Sequence, residues 1–173
     1  MPSMERRIKR MNVKKLRIED KNETELECKC RKDCPMEGKC KDKEIVYRAE
    51  IKSKEGDNEI VKKYVGLTAT PFIERYRNHV YSFNKPQMKN ATELSKYIWK
   101  IKEEGRNYEI KWEIIRRAKA YKPGGKYCNL CTSEAIAIVG EDVRQCLNSR
   151  SEILKQCRHK AKWKLENFKK FGT

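Results

Sequence analysis

The chain has 173 residues, 38% of them hydrophobic and 39% charged, which suffices for one core of ordinary size beneath a heavily charged surface. Its formal net charge is +17, with Lys and Arg spread along most of the sequence. This surplus favours a polyanionic partner, because each neutralised phosphate releases condensed counterions. No apolar run reaches the roughly eighteen residues of a membrane-spanning helix, so we expect no membrane partner and favour a nucleic acid over a merely soluble basic protein.

The first 27 residues are polar and charged and are predicted to form a basic arm or linker. They lack the apolar stretch of a secretory signal. The cluster Arg6-Arg7-Ile8-Lys9-Arg10 is typical of a nuclear address and equally of a basic helical face on nucleic acid. We therefore expect a reducing, nuclear environment, in which the eight cysteines bind metal rather than form disulfides.

A β-hairpin is predicted at the start of the globular body. Residues 45–51 and 60–67 alternate as strands do, and Gly56-Asp57-Asn58 supplies the turn between them. Thr70-Pro71 is typical of a helix start, and apolar spacing extends this helix to about residue 83. The later elements are a helix from a capping box at 90–93 to about 105, a strand at 108–115, a helix at 135–143 with Glu134 on its first turn, and a basic helix or pair of helices at 152–171.

These elements predict an α/β (α+β) fold, in which a small, mainly antiparallel three-stranded sheet is flanked by helices. The predicted organisation is a basic arm at 1–27, a Cys-rich zinc-binding extension at 28–43, and the α/β body with its basic C-terminal helix at 44–173.

Two groups of metal-ligand residues follow from spacing. Cys28, Cys30, Cys34 and Cys40 place four thiols within thirteen residues, and four thiolates suit tetrahedral zinc. One alternative is that some of these thiols carry no metal. Another is that only Cys34 and Cys40 bind, together with ligands from elsewhere.

The second group pairs Cys128-x2-Cys131 with Cys157-x-His159, which could complete another tetrahedral zinc site. Such a site would tie the basic C-terminus to the helix that carries Glu134. A rival assignment joins Cys34 and Cys40 to both histidines, which would remove His79 from any chemistry. Cys146 has no thiol nearby and is predicted to be a small buried apolar residue.

Several polar residues of the body have the chemistry for cutting a phosphodiester, which needs a metal, a base for water and a cation for developing charge. Glu134 is the candidate ligand for Mg²⁺ or Mn²⁺, because magnesium takes one or two carboxylates and completes its shell with water and substrate oxygens. Arg75 and His79 stand four residues apart on one predicted helix face. Arg75 could bind a phosphate oxygen, and His79 could position water or move a proton. The alternatives are a solvated or capping glutamate and a structural histidine.

Tyr47 and Tyr64 fall on the two strands of the predicted hairpin, where their hydroxyls can converge. Strand tyrosines most often serve packing, so a chemical function for them depends on Arg75 and Glu134 sharing their pocket. Gly66, at the end of the second strand, allows a backbone or a substrate to approach closely.

The order and spacing of these residues resemble the GIY-YIG nucleases. Val46-Tyr47 corresponds to the end of that family's first motif, and Tyr64-Val65-Gly66 to the second. The matching site residues are Arg75 on the helix, His79 one turn later, the metal-binding Glu134 and, in the C-terminal part, Asn148. The resemblance implies that Tyr47 is the general base and that Tyr64 and His79 organise water and phosphate. Ile45 replaces the family's first glycine, and the hairpin turn is longer than in compact members.

Further motifs extend over nearly the whole chain: Cys28-Lys29-Cys30, Cys34-Pro35-Met36-Glu37-Gly38-Lys39-Cys40, Thr92-Glu93-Leu94-Ser95-Lys96-Tyr97, Cys128-Asn129-Leu130-Cys131 and Cys157-Arg158-His159. Together they are similar to the C-terminal endonuclease region of Penelope-like retroelements. This implies that 44–173 is a nuclease domain that nicks DNA to expose a 3′ end for reverse transcription. Element RNA, or a reverse transcriptase in the same longer polypeptide, would be a further partner of what looks like the nuclease module alone.

The sequence thus predicts a magnesium-dependent, zinc-stabilised DNA endonuclease that nicks its substrate. The alternatives are a catalytically decayed, zinc-containing module that binds nucleic acid, and a structural interaction module without appreciable nucleic-acid affinity at physiological salt.

Overall fold

The computed structural model describes residues 28, 30, 34–122, 125, 127–149, 157 and 159. The predicted arm at 1–27 and the predicted helix at 152–171 lie outside the described residues, apart from Cys157 and His159. No helix in the described ranges has the length and apolarity to cross a membrane.

The predicted hairpin and third strand are confirmed, and together they form one antiparallel sheet. β1 covers Ile45–Glu55, β2 covers Asn58–Thr68 and β3 covers Tyr108–Arg117, in the order β2-β1-β3. The hairpin strands continue beyond the predicted ends, because their backbones stay paired where polar and charged residues replace the apolar alternation. Gly56 has a φ of +61°, the left-handed conformation that this tight turn requires. Because β1 pairs with both β2 and β3, it is the central strand of the sheet.

Two predicted helices follow β2 on one face of the sheet. α1 covers Phe72–Asn84, and after the short 3-10 turn Pro86–Met88, α2 covers Glu93–Glu103. The predicted start of α2 is confirmed but its capping box at 90–93 is not, because the N-cap residue is Thr92, whose Oγ1 accepts a hydrogen bond from the Ser95 amide at 3.0 Å.

The third helix begins and ends earlier than the predicted range 135–143. α3 covers Asn129–Gly140, with Cys128 as its N-cap residue. The prediction that Glu134 lies on the first turn is therefore wrong, since Glu134 is the sixth helical residue and belongs to the second turn. The first turn, Asn129 to Thr132, holds mostly polar and small side chains, so apolar spacing gave no signal there.

The sheet separates two apolar clusters, which gives the α+β fold its three layers. Tyr47 and Ile51 of β1 point toward Phe72 of α1 and Ile98 of α2. The intervening strand residues Val46 and Val65 pack instead against Leu130 and Ile138 of α3. This division follows from the two-residue period of a strand, which sends successive side chains to opposite faces.

Candidate active site and metal clusters

A cavity of about 770 Å³ lies where β2, α1 and α3 meet. Its lining includes Tyr64 from β2, Arg75 and His79 from α1, and Glu134 from α3. Four of the predicted site residues, far apart in sequence, therefore share one cavity. Glu74 also lines it, so the cavity presents two carboxylates beside the permanently charged guanidinium of Arg75.

Tyr47 lies behind the cavity rather than in its lining. Its side chain is fully buried in the central strand, with ring centroids 5.0 Å from Phe72 and 5.9 Å from Trp112. The Tyr47 hydroxyl oxygen accepts a hydrogen bond from Arg75 Nε at 3.1 Å and lies 2.8 Å from His79 Nε2. The Tyr47 hydroxyl thus orients both Arg75 and His79, which α1 presents to the cavity.

The protonation states of this network follow from burial. Burial, with the charge of Arg75, lowers the pKa of His79 to about 3, so the imidazole is neutral at physiological pH. Burial also raises the pKa of Tyr47, against the opposing effect of Arg75. Because Arg75 donates to the Tyr47 oxygen, the phenolic hydrogen is directed to His79, which accepts it at Nε2.

Gly66 explains how the Tyr47 ring reaches this position. The two residues face each other across the β1–β2 pair. A Cβ atom at Gly66 would lie 2.5 Å from the Tyr47 hydroxyl oxygen and 2.6 Å from its Cζ. The sequence predicted that a backbone or a substrate approaches this glycine, and in the structure the side chain of Tyr47 does so instead.

Asn148 lies at the outer edge of β2 and does not line the cavity. Its side-chain Nδ2 donates to the Val65 carbonyl at 2.9 Å, and its Oδ1 accepts from the Val65 amide at 2.7 Å. Just before it, Leu147 and Gln145 make the equivalent backbone bonds to Lys63, both at 2.8 Å. The Asn148 amide therefore continues the pairing of this edge and holds the strand that carries Tyr64 and Gly66.

The first cysteine group is assembled as the spacing predicts. The sulfur atoms of Cys28, Cys30, Cys34 and Cys40 all lie within 4.8 Å of one another. The Cys28–Cys40 separation is 3.0 Å and the Cys30–Cys40 separation is 3.5 Å, near the roughly 3.8 Å between thiolates on tetrahedral zinc. Hydrogen bonding, chiefly with Cys40, lowers the pKa of the Cys28 thiol to about 7. These residues could hold a metal such as zinc.

This cluster is joined to the helix that carries Arg75 and His79. The carbonyl of Cys40 accepts a hydrogen bond from the Ile73 amide at 2.7 Å, and the carbonyl of Asp42 accepts one from the Phe72 amide at 3.0 Å. Both amides belong to the first turn of α1, which has no side-chain cap of its own. Met36, within the same segment, is only 3% exposed and packs in the cluster around Tyr47. The predicted extension thus caps α1.

The second group is also assembled, around the first turn of α3. His159 Nδ1 lies 3.5 Å from Cys128 Sγ and 3.3 Å from Cys131 Sγ, and Cys131 Sγ lies 3.6 Å from Cys157 Sγ. The four ligand atoms lie within 4.8 Å of one another, so this group too could hold a metal such as zinc. Cys131 and His159 line the cavity, and Cys131 precedes Glu134 by one helical turn.

The rival pairing of Cys34 and Cys40 with both histidines is wrong, because His79 is bound to Tyr47 and His159 lies in the second cluster. Cys146 packs, partly buried, beside the second apolar cluster, with its sulfur 3.7 Å from Asn148 Oδ1.

Sequence reasoning missed the uncharged residues of the cavity, among them Asn78, Tyr81, Met88 and Thr92. Asn78, Tyr81 and Met88 belong to none of the motifs quoted above, and Thr92 stood in a motif without a cavity function. Steps of three residues along α1 from Arg75 would have found Asn78 and then Tyr81. Comparisons with known protein families, curated proteins and solved structures find no match for this chain.

Proposed function

We propose that this protein is a divalent-metal-dependent DNA endonuclease of the GIY-YIG type, which nicks a phosphodiester by hydrolysis. The observation that carries the proposal is the meeting of Tyr64, Arg75, His79 and Glu134 around one cavity. These side chains come from a strand and two helices, and each has a use in phosphodiester cleavage. The net charge of +17 supports DNA as the polyanion.

Each residue of the cavity has a defined part in this proposal. Glu134, with Glu74 beside the same cavity, would hold Mg²⁺ or Mn²⁺, which when bound polarises the scissile phosphate. Arg75 pairs with a phosphate oxygen and stabilises the negative charge of the transition state. Neutral His79 does not donate a proton at physiological pH, so it acts through the hydrogen bond that locks Tyr47 and Arg75.

In this proposal Tyr47 and Tyr64 have functions different from those that the family resemblance implies. Tyr47 is closed off from water, its hydroxyl is engaged with Arg75 and His79, and its pKa is raised by burial. Those facts favour a positioning function. Tyr64 lines the cavity, so we assign to it the contact with the attacking water.

Zinc at both cysteine-containing clusters is part of the proposal. The thiolate-rich donor sets suit zinc rather than magnesium. One cluster caps α1 and the other begins α3, so the two bound ions would fix the helices that supply Arg75 and Glu134.

Relaxation of supercoiled plasmid tests the proposal directly. The wild-type protein with Mg²⁺ should convert supercoiled DNA to open circles. Glu134→Gln, which keeps the side-chain size but removes the charge, should lower the rate by at least about a hundredfold. The matched control is Glu109→Gln, an exposed glutamate on β3, which should cut like the wild type. Equal rates for Glu134→Gln and the control would refute the metal assignment.

The same experiment distinguishes the alternative of a decayed nucleic-acid-binding module. That module would bind DNA with strong salt dependence and break no strand with Mg²⁺ or Mn²⁺. If nicking is observed, the exposed 3′ end suits the priming of reverse transcription in a Penelope-like retroelement, and the expected place of action is the nucleus.

A further inference from the structure

The cavity is larger than a scissile phosphate and one metal ion require. Its volume of about 770 Å³ lies in the range of pockets that enclose a whole small organic ligand. A phosphate beside Arg75 and Glu134 would fill only a small part of this volume. The remaining space can take a further part of the substrate.

The walls of that remaining space are uncharged. Among the described residues that line the cavity, the carboxylates and the guanidinium belong to Glu74, Arg75 and Glu134. The other walls include Asn78, Tyr81, Met88 and Thr92. In a protein of net charge +17, an uncharged wall beside a phosphate site fits the base of a nucleotide better than a second phosphate.

α1 carries three of the lining side chains in succession. Asn78 lies three residues beyond Arg75 and three before Tyr81, so the three side chains follow one another along the helix surface. The rise along the helix axis from Arg75 to Tyr81 is about 9 Å, so the two side chains contact the cavity at different heights along α1. A nucleotide that is bound at Arg75 through its phosphate would therefore extend its base toward Tyr81.

The side chains of Tyr81 and Asn78 are available for contact. The Tyr81 residue is 55% exposed, and within the described part of the chain neither side chain makes a hydrogen bond, ion pair or ring contact. The wall behind them is held in place, because Ser82 Oγ donates to the His79 carbonyl at 2.7 Å and lies 2.6 Å from Ser95 Oγ. A rigid wall with a free aromatic ring and a free amide has the two features that hold a base, a stacking surface and a polar edge.

We propose that this wall binds one nucleobase beside the scissile phosphate, with the base stacked on Tyr81 and its polar edge on Asn78. A base inside a duplex is stacked between its neighbours and reaches a concave cavity only when it leaves the stack. The preferred substrate is therefore DNA with an unpaired nucleotide next to the cut, as at a bulge or a gap. The identity of the ligand as DNA rests on the proposed function.

A fluorescence titration tests the base site without cutting. The protein carries Glu134→Gln and no divalent metal is added, since a chelator would also strip the cysteine clusters. The probes are two duplexes of one sequence, with 2-aminopurine either unpaired or fully paired. We expect at least about fivefold tighter binding of the unpaired probe, with quenched emission, as aromatic stacking on a base produces.

Substitutions assign the effect to Tyr81. Tyr81→Leu should lose both the preference and the quenching, and Tyr81→Phe, which keeps the ring, should retain both. The control is Tyr127→Leu, an exposed tyrosine (75%) outside the cavity lining, which should also retain both. Equal affinity for the two probes, or a preference that survives in Tyr81→Leu, overturns the proposal. Plasmid nicking without any preference contradicts the base site alone, whereas a Tyr81-dependent preference without nicking contradicts the endonuclease and leaves the base site standing.

Discussion

The substitution Tyr47→Phe removes one oxygen atom from the centre of the candidate active site. The ring and its contacts with Phe72 and Trp112 remain, so the change isolates the hydroxyl. That hydroxyl is the partner of His79 Nε2 at 2.8 Å and of Arg75 Nε at 3.1 Å. If the network orders the site, its loss must lower both stability and activity.

The size of the effect follows from burial. His79 is 2% exposed, so its Nε2 would lose its hydrogen-bond donor where water cannot replace it. An unsatisfied buried group costs about 1–3 kcal/mol, and a hydrogen bond to a charged group contributes about 1.5–3 kcal/mol. Arg75 lies at the cavity and can recover part of its share from water. We therefore expect the free energy of unfolding to fall by about 2–4 kcal/mol.

Urea unfolding followed by tryptophan fluorescence measures this loss. The midpoint should fall while the dependence of the unfolding free energy on urea stays unchanged. Tyr127→Phe is the control, since Tyr127 is 75% exposed, and it should stay within about 0.5 kcal/mol of the wild type. A loss below about 1 kcal/mol for Tyr47→Phe would mean that this hydroxyl does not hold the site together.

Three further predictions concern other parts of the same arrangement. Gly66→Ala places a Cβ 2.5 Å from the Tyr47 hydroxyl oxygen and should lower the free energy of unfolding by about 1–3 kcal/mol. The control Gly140→Ala, whose Cβ would meet nothing within 4 Å, should leave it unchanged. Similar thermal midpoints for the two variants would contradict this prediction. The pKa of His79 is about 3 when folded and 6.5 when unfolded, so as pH falls the unfolded state takes up the proton first. Neutral His79 therefore contributes its whole share of the free energy of unfolding above pH 6.5, and this share is lost as pH falls towards 3. The free energy of unfolding should be about 2 kcal/mol lower at pH 5 than at pH 8 because of this group. In His79→Gln, urea unfolding at pH 5 and pH 8 should no longer show this difference. A pH dependence equal to that of the wild type would refute the prediction. Mass spectrometry under native conditions should find two zinc ions per chain and one after Cys131→Ser, and chelation should lower the thermal midpoint in a way that Mg²⁺ does not reverse; a protein purified without zinc would contradict the assignment.

Local sequence determined most of the elements. The alternation in β1 and β2 and the turn at Gly56 each depend on residues close together in the chain, and the structure confirms them. The first cysteine group was also readable from spacing, because metal ligands on a short segment need only a compatible separation, and the second was readable as two such short pairs. α3 was misplaced at its start because its first turn lacks the apolar period.

The different positions of Tyr47 and Tyr64 relative to the cavity depended on tertiary structure. Alternation puts Tyr47 and Tyr64 on the same face of the hairpin, and it carries no information about which strand is central. The order β2-β1-β3 buries Tyr47 beneath Phe72 and Trp112 and leaves Tyr64 on the outer strand, beside the cavity.

The same holds for the parts played by Asn148 and by the cysteine groups. Asn148 pairs with Val65, 83 positions earlier in the chain, and Cys40 caps a helix that begins after the whole hairpin. Such contacts join segments whose separation in sequence bears no fixed relation to their distance in space. The local sequence pattern therefore indicated which residues could bind metal or act on a phosphodiester, and the packing of the sheet and helices decided which of them lie close together.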